Sequence, residues 1–566
     1  MPSDRPVAPA LARELAHGSG HDPGPDALRR LSGAVGLRPS RRALLTAAAV
    51  GGAGLVLSGC GGTQASVLEA GDTPQPGGTL RVGITGGGAS DTVDAHVPLG
   101  TGDAARMFNL YDTLFSFDPE YRLVPSLAES AEPNEAGDEW TVRLRPGVTF
   151  HDGRALTAAD VRFTFERILD PEDPKAGVSK LGTVERIEVI DELTTRFVLG
   201  APDAVLPDAL AQYVMGIVPE GYDPARPVGT GPFSLVDFEP GGTTRLRAFE
   251  DYWQGRAHLD EVLLINFDDE DALVNSLLSS QVDVVAQVPL ALVQVISEDP
   301  RIEVISSETG NWLPFTMRTD VAPFDDPRVR EAFKLVVDRE QMVEVAFSGQ
   351  GRVGNDMYSP FDPGYPAQLP QRERDVERAR ELLREAGHGD GLRVELVTAP
   401  IQAGAVESAT VFAEQAADAG IEVSLRRVDA TTFFGSGYLE FPFAQSFYYT
   451  RNLLPQAADT SLPDSPYNET HWNDEQFTQL IAEARTTLDD EQRHRLCAEA
   501  MTRHHEEGGN IIFGFFDVAD AYQRYVGGGA PDRSGMPVSS FRFRNLWIAT
   551  ADQQPTQPSN QPSTEG

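Results

Sequence analysis

Two short segments set aromatic rings beside groups that read charge. One is Asn311-Trp312-Leu313-Pro314-Phe315. The other runs from Phe441 to Arg451 and carries Phe441, Phe443, Phe447, Tyr448 and Tyr449 ahead of Thr450-Arg451. Core strands account for Phe441 and Phe443. Consecutive tyrosines followed by a hydroxyl and a guanidinium are different, because these groups need polar partners. Aromatic walls with a few directed polar groups are what a small-molecule cleft requires. The candidate binding residues are therefore Asn311, Trp312, Phe315, Phe447, Tyr448, Tyr449 and Arg451, and the Arg451 guanidinium suits a carboxylate or another anionic group.

Constellations for catalysis do not survive the same inspection. Gly83-Ile84-Thr85-Gly86-Gly87-Gly88 follows a strand, but no Gly-Lys-Ser/Thr comes after it, so a phosphate loop is excluded. There is no His-Glu-x-x-His and no Gly-x-Ser-x-Gly elbow. His151 sits in a Phe-His-Asp-Gly turn, where a structural hydrogen bond is expected. His504 and His505 are adjacent and point about 100° apart on a helix, which suits a solvated helix end better than a shared metal. Cys497 reads as a small core residue. No catalysis, metal or cofactor is expected.

A third chemistry lies near the N-terminus. Ser40-Arg41-Arg42 precedes a soft apolar stretch from Ala43 to Leu57 that ends in Leu57-Ser58-Gly59-Cys60. A basic region, a short apolar core and small residues before a cut describe an export signal over residues 1–59. The Arg41-Arg42 pair resembles a twin-arginine signal, and the ending resembles a lipobox whose Cys60 thiol is acylated. Two or more acyl chains hold a soluble body at a membrane face. The Gly/Thr/Gln/Ser/Pro-rich residues 60–78 suit a flexible tether, and the Gln/Pro/Ser-rich residues 549–566 a disordered tail.

The 566 residues suggest several domains, and 40% hydrophobic with 23% charged residues is ordinary for a globular chain. Lys+Arg is 47 against Asp+Glu 85, a net charge of −38, so nucleic acid is excluded as a partner. Residues 1–59 carry seven Arg and four acidic residues, so the remainder is more negative still. Two cysteines exclude a disulfide framework, and no apolar run reaches the length of a spanning helix.

The elements that must position these groups alternate in type. Thr79 to Ile84 alternates as a half-buried strand, and Trp140 to Leu144 does the same. Thr157-Ala158-Ala159-Asp160 opens a helix as a capping box. Asp375 to Ala386 is an amphipathic helix closed by Gly387. Strands Leu392–Leu396 and Ile421–Leu425 flank a further helix, and two helices follow at about 474–488 and 490–506. The fold class is α/β, with mixed or parallel sheets covered by helices.

One family combines these motifs in this order. They are Gly77-Gly78-Thr79-Leu80-Arg81-Val82-Gly83, Asn109-Leu110-Tyr111-Asp112-Thr113-Leu114, Leu123 to Ser130, Leu144 to Gly153, Leu156 to Val161, Gly229-Thr230-Gly231-Pro232-Phe233, Asp251-Tyr252-Trp253 and Pro323 to Arg330. The chain resembles the family 5 solute-binding proteins of ABC importers, receptors for peptides, nickel and related solutes. The resemblance implies a two-lobed periplasmic-binding-protein fold with a hinge, in its three-domain variant. Domain I would comprise 79–107, 229–312 and 516–548, domain II 108–228, and domain III 313–515, with domain II making no ligand contacts. It implies a monomer, lipid-anchored through Cys60 on the outer face of the bacterial membrane, that passes a solute to ABC permease subunits served by cytoplasmic ATPases. Peptide-binding relatives place an aromatic and then an Asp for the ligand's amino terminus where this chain has Arg451. That departure favours an anionic ligand group, with Asp459 and Asp464 as the acids that would otherwise serve. A nickel chelate or an oligosaccharide remains an alternative solute, and an exported hydrolase or a signalling receptor an alternative role.

Overall fold

The computed structural model describes residues 68–549. Cys60, Arg41 and Arg42 lie outside them. Its organising feature is a long antiparallel ribbon, Ile302–Trp312 against Gly514–Gln523, broken by one bulge between Ser307 and Asn311. After Leu313-Pro314 the first chain re-enters as Phe315–Met317, which pairs with Asn510–Ile511. The two segments therefore leave one sheet and enter another side by side.

On one side of this crossing lies an eight-stranded mixed sheet. Thr79–Thr85 sits centrally, parallel to Glu261–Phe267 and to Val284–Val285. Leu80, Val82 and Ile84 are buried on one face as the alternation predicts, and on the other face Gly83 is buried as well, against Leu273 of helix Glu270–Leu278. On the other side is a five-stranded sheet ordered Ile421–Arg427, Leu392–Thr398, Phe443–Gln445, Phe315–Met317, Asn510–Ile511. Its first two strands pair in parallel, Leu392 opposite Ile421, around the crossover helix Ala405–Ala417. Helix Val376–Glu385 covers it with Ala379, Leu382 and Leu383; each buried Leu contributes about 1.5–3 kcal/mol. Its start is fixed by the Asp375 carboxylate, which accepts from the Arg378 N–H at 2.9 Å. The strand Gly351–Val353, from the stretch expected in the third domain, instead pairs with Gly514–Phe516 at the crossing.

Between residues 128 and 199 a four-stranded antiparallel sheet forms a further layer. Its inward side chains, Trp140, Val142, Leu144 and Phe197, pack on Phe150 and Phe165. Helix Ala158–Ile168 closes it, with the Asp160 carboxylate accepting from the Thr157 N–H at 2.9 Å. The chain leaves and returns along one track, where the Gly231 N–H donates to Leu110 O at 3.1 Å. A Cβ on Gly229 would lie 2.0 Å from Leu110 O, and one on Gly231 2.5 Å from Asn109 O, so this track admits only glycine. His151 completes the junction. Its Nδ1 accepts from the Gly229 N–H at 3.3 Å and its Nε2–H donates to Gly231 O at 3.0 Å, leaving a neutral ring whose pKa burial lowers to about 4.

Two expectations need correction here. Part of the expected tether is held to the body, because Ala70 N–H donates to Arg524 O and Gly77 N–H to His258 O, both at 2.7 Å. His504 is not at a solvated helix end. It is 2% exposed against Tyr358 and Trp472, and burial lowers its pKa to about 3.

Candidate functional site

The crossing ribbon positions the aromatic run. Trp312 and Tyr448 exchange backbone hydrogen bonds of 2.9 and 3.0 Å, and their rings stack at 4.6 Å. The Asn311 amide oxygen accepts from the Thr450 N–H at 2.9 Å, and the Thr450 hydroxyl accepts from the Gly310 N–H at 2.8 Å. Residues 447–451 are thereby fixed where the two sheets meet, beside a cavity of about 630 Å³. That volume lies in the usual range for small-molecule sites.

One wall carries Phe447, Tyr448, Tyr449 and Arg451, with Phe434, Tyr438 and Tyr467 behind them. Opposite are Phe108, Tyr111 and Asp112 from the first lobe, with Tyr252. A third wall is Thr113–Ser126 together with Ala211, Gln212 and Tyr213. The floor comes from Ser534, Met536, Arg542 and Arg544. The third wall brings residues 108–228 to the cavity, although the resemblance implies a middle domain without ligand contacts. Phe117 and Tyr121 stack at 4.4 Å and the Tyr121 hydroxyl donates to Thr450 O at 3.1 Å, which draws this segment over the cleft.

Not every sequence candidate faces the cavity. Phe447, Tyr448, Tyr449 and Arg451 do. Trp312 is 1% exposed behind Tyr448, sandwiched against Tyr358, and buried Asn311 acts through Thr450, so both position the wall and do not line it. Phe315 is a correction. It is fully buried among Phe412, Phe443 and Phe513, because alternation along Phe315–Met317 turns its ring into the core of the second lobe. Asp459 does not line the cavity, and its Oδ2 is held by Arg451 and, at 2.7 Å, by the Lys180 ammonium. Asp464 is exposed and lies away from the cavity.

Acids near the cavity are engaged internally. Asp112 accepts from Trp253 Nε1 at 2.9 Å and from the Thr230 and Tyr252 hydroxyls at 3.1 Å, and burial raises its pKa to about 6. Asp118 accepts from Arg122 Nε at 2.8 Å and from the Glu120 and Arg122 N–H groups. Glu469, behind the wall, accepts from the Tyr438 hydroxyl at 2.6 Å and the Tyr448 hydroxyl at 2.7 Å, and burial raises it to about 7. The cations divide differently. Arg542 pairs with Asp532 and donates to Phe117 O, whereas Arg544 has no ion-pair partner among the described residues and lies over the Tyr252 ring at 5.6 Å. Sequence reasoning missed Arg542 and Arg544. The pattern Phe541-Arg542-Phe543-Arg544, aromatic and basic near the end of an acidic chain, was the available signal. Among the described residues no cluster of three or more His, Cys, Asp or Glu is arranged to hold a metal.

Comparison with known proteins gives a consistent picture. The family model for bacterial extracellular solute-binding proteins, family 5, middle region, matches residues 122–473. Di/tripeptide-binding protein 2 of Pseudomonas aeruginosa is 28% identical over 440 residues, covering 70% of this chain and 82% of its own. The glutathione-binding protein of Pectobacterium atrosepticum is 26% identical over 423 residues, covering 70% of this chain and 80% of its own. Among solved structures, the binding protein AgaA of A. tumefacien R10, in complex with agropinic acid, superimposes with a TM-score of 0.69 at 27% identity, over 84% of this chain and 99% of that one.

Proposed function

The chain belongs to the family 5 bacterial extracellular solute-binding proteins, and from that membership we propose that it captures a peptide-like solute in the cavity described above and hands it to the permease of an ABC importer. The observation that carries this reading is that the cavity is lined by Phe108 and Tyr111, which pack with the core of the first sheet, and by Phe447, which packs against the core of the second, beside the paired strands crossing between the sheets. A solute held there touches both lobes. Its contacts are complete only when the lobes close, and that difference in contact energy shifts the population toward the closed form. Phe447, Tyr448 and Tyr449 supply the apolar wall, with Arg451 at its end and Asn311 and Trp312 holding it in register.

The di/tripeptide- and glutathione-binding relatives support a solute of that size. Extracytoplasmic placement follows from the family. Anchoring through acylated Cys60, after export directed by Arg41-Arg42, is part of the same reading, as is the absence of catalysis. The domain assignment retained is 79–107 with 229–312 and 516–548, then 108–228, then 313–515. Small-angle scattering on the purified chain tests closure. Adding a bound solute is expected to reduce the radius of gyration, and an unchanged radius at saturation would contradict the hinge mechanism.

A further inference from the structure

The balance of free charge in the cavity is opposite to that of the molecule. The chain carries −38, yet the cavity is lined by three guanidinium groups and two carboxylates. Each of those carboxylates already accepts three internal hydrogen bonds, which leaves at most one acceptor position on each for a ligand ammonium. Arg542 is neutralised by Asp532. At Arg451, two cations share the single Asp459 carboxylate, which leaves that corner with a net positive charge. Arg544 adds a half-buried guanidinium without an ion-pair partner among the described residues. It lies 5.6 Å over the Tyr252 ring, whose hydroxyl donates to Asp112, and its charge reaches that carboxylate. A guanidinium that lines a cavity without an ion-pair partner can make two-point contact with a carboxylate.

We propose that the cavity selects its solute by a carboxylate received at Arg544, and that a free α-amino group is not required. The ligand class is therefore aromatic or apolar peptide-like acids, including forms blocked at the amino end, such as N-acyl amino acids and N-acylated dipeptides. The twelve aromatic side chains around the cavity provide stacking surface for the rest of such a molecule. The assignment rests on the receptor reading above and specifies which end of the solute is read.

Four forms of one dipeptide separate the two ends: Phe-Tyr, N-acetyl-Phe-Tyr, Phe-Tyr amide and N-acetyl-Phe-Tyr amide, titrated calorimetrically into the purified chain. The two acids are expected to bind within about threefold of each other and the two amides at least 30-fold more weakly. Arg544→Gln is expected to remove most of the preference for acid over amide while leaving the unfolding midpoint of the free protein unchanged, and Arg544→Lys to restore part of it. Equal binding of acid and amide, loss of binding on N-acetylation, or no binding of any form would overturn the proposal. So would an acid preference that survives Arg544→Gln and disappears instead in Arg451→Gln. The receptor reading is judged separately, by native mass spectrometry of the chain exposed to a host extract. A retained solute with no carboxylate would leave the receptor reading standing while overturning the acid assignment.

Discussion

Arg451 and Asp459, which offer a ligand opposite charges, are ion-paired with each other across the first two turns that follow the aromatic strand. Lys180, in the turn Val178–Leu181, reaches the same Asp459 oxygen at 2.7 Å. Two further contacts join the same two parts of the chain: Arg485 Nη2 donates to Asp203 at 2.8 Å and Asn452 Nδ2 to Asp208 at 2.9 Å. The charge pattern at the end of the strand thus serves first to tie residues 108–228 to the second lobe.

Asp459→Ala leaves Lys180 and Arg451 facing one another without a counter-charge. These groups are only partly buried, so the cost lies between that of a surface pair and a buried one, about 1–3 kcal/mol. Lys180→Gln keeps the Arg451–Asp459 pair and is expected to cost less than about 1 kcal/mol. Urea unfolding of both variants checks this, and equal losses would show that the pair does not stand on its own.

Phe315→Ala and Tyr449→Ala are expected to behave in opposite ways. Phe315 is fully buried among three other phenylalanines, so its truncation costs about 3–5 kcal/mol and leaves the affinity of the folded fraction unchanged. Tyr449 lines the cavity, so its truncation weakens solute binding about tenfold or more with little loss of stability. Calorimetric titration beside a denaturation curve separates the two.

Burial raises the Glu469 carboxyl from its ordinary 4.5 to about 7. Between those values the folded protein holds a proton that the unfolded chain has released. The contribution is therefore fully present below the unfolded value and is lost as pH rises through the folded one. Glu469→Gln removes this dependence. The difference in unfolding free energy between wild type and variant is expected to move in the variant's favour from pH 5 to pH 8, and a difference independent of pH would contradict it.

Cys60→Ser is expected to leave folding and solute affinity intact and to shed the protein into the medium or leave it uncleaved. Fractionation with mass determination checks it. Membrane retention through salt and urea washes at wild-type mass would contradict the acylation reading.

Local elements were legible wherever one segment carried its own signal. The Asp375 and Asp489 caps start helices Val376–Glu385 and Asp490–Glu507, and the strand–helix–strand unit from Leu392 to Arg427 forms as its spacing predicts. The aromatic run was legible for the same reason. What escaped depends on partners distant in the chain. Phe315 and Trp312 are alike in composition, but their faces are decided by a strand alternation that places one in the core and the other behind Tyr448. Arg544 escaped notice because the ring it lies over, Tyr252, is nearly three hundred positions upstream. Asp459 looked available because Lys180 is 279 residues away.

The central claim is that this cavity holds a solute without transforming it. The most direct measurement is native mass spectrometry of the chain loaded from a host extract, with the solute identified before and after a day's incubation. One unaltered solute per chain, displaced in the Tyr449→Ala variant, is the predicted result. A product accumulating beyond one equivalent, or no solute retained from any extract, would contradict it.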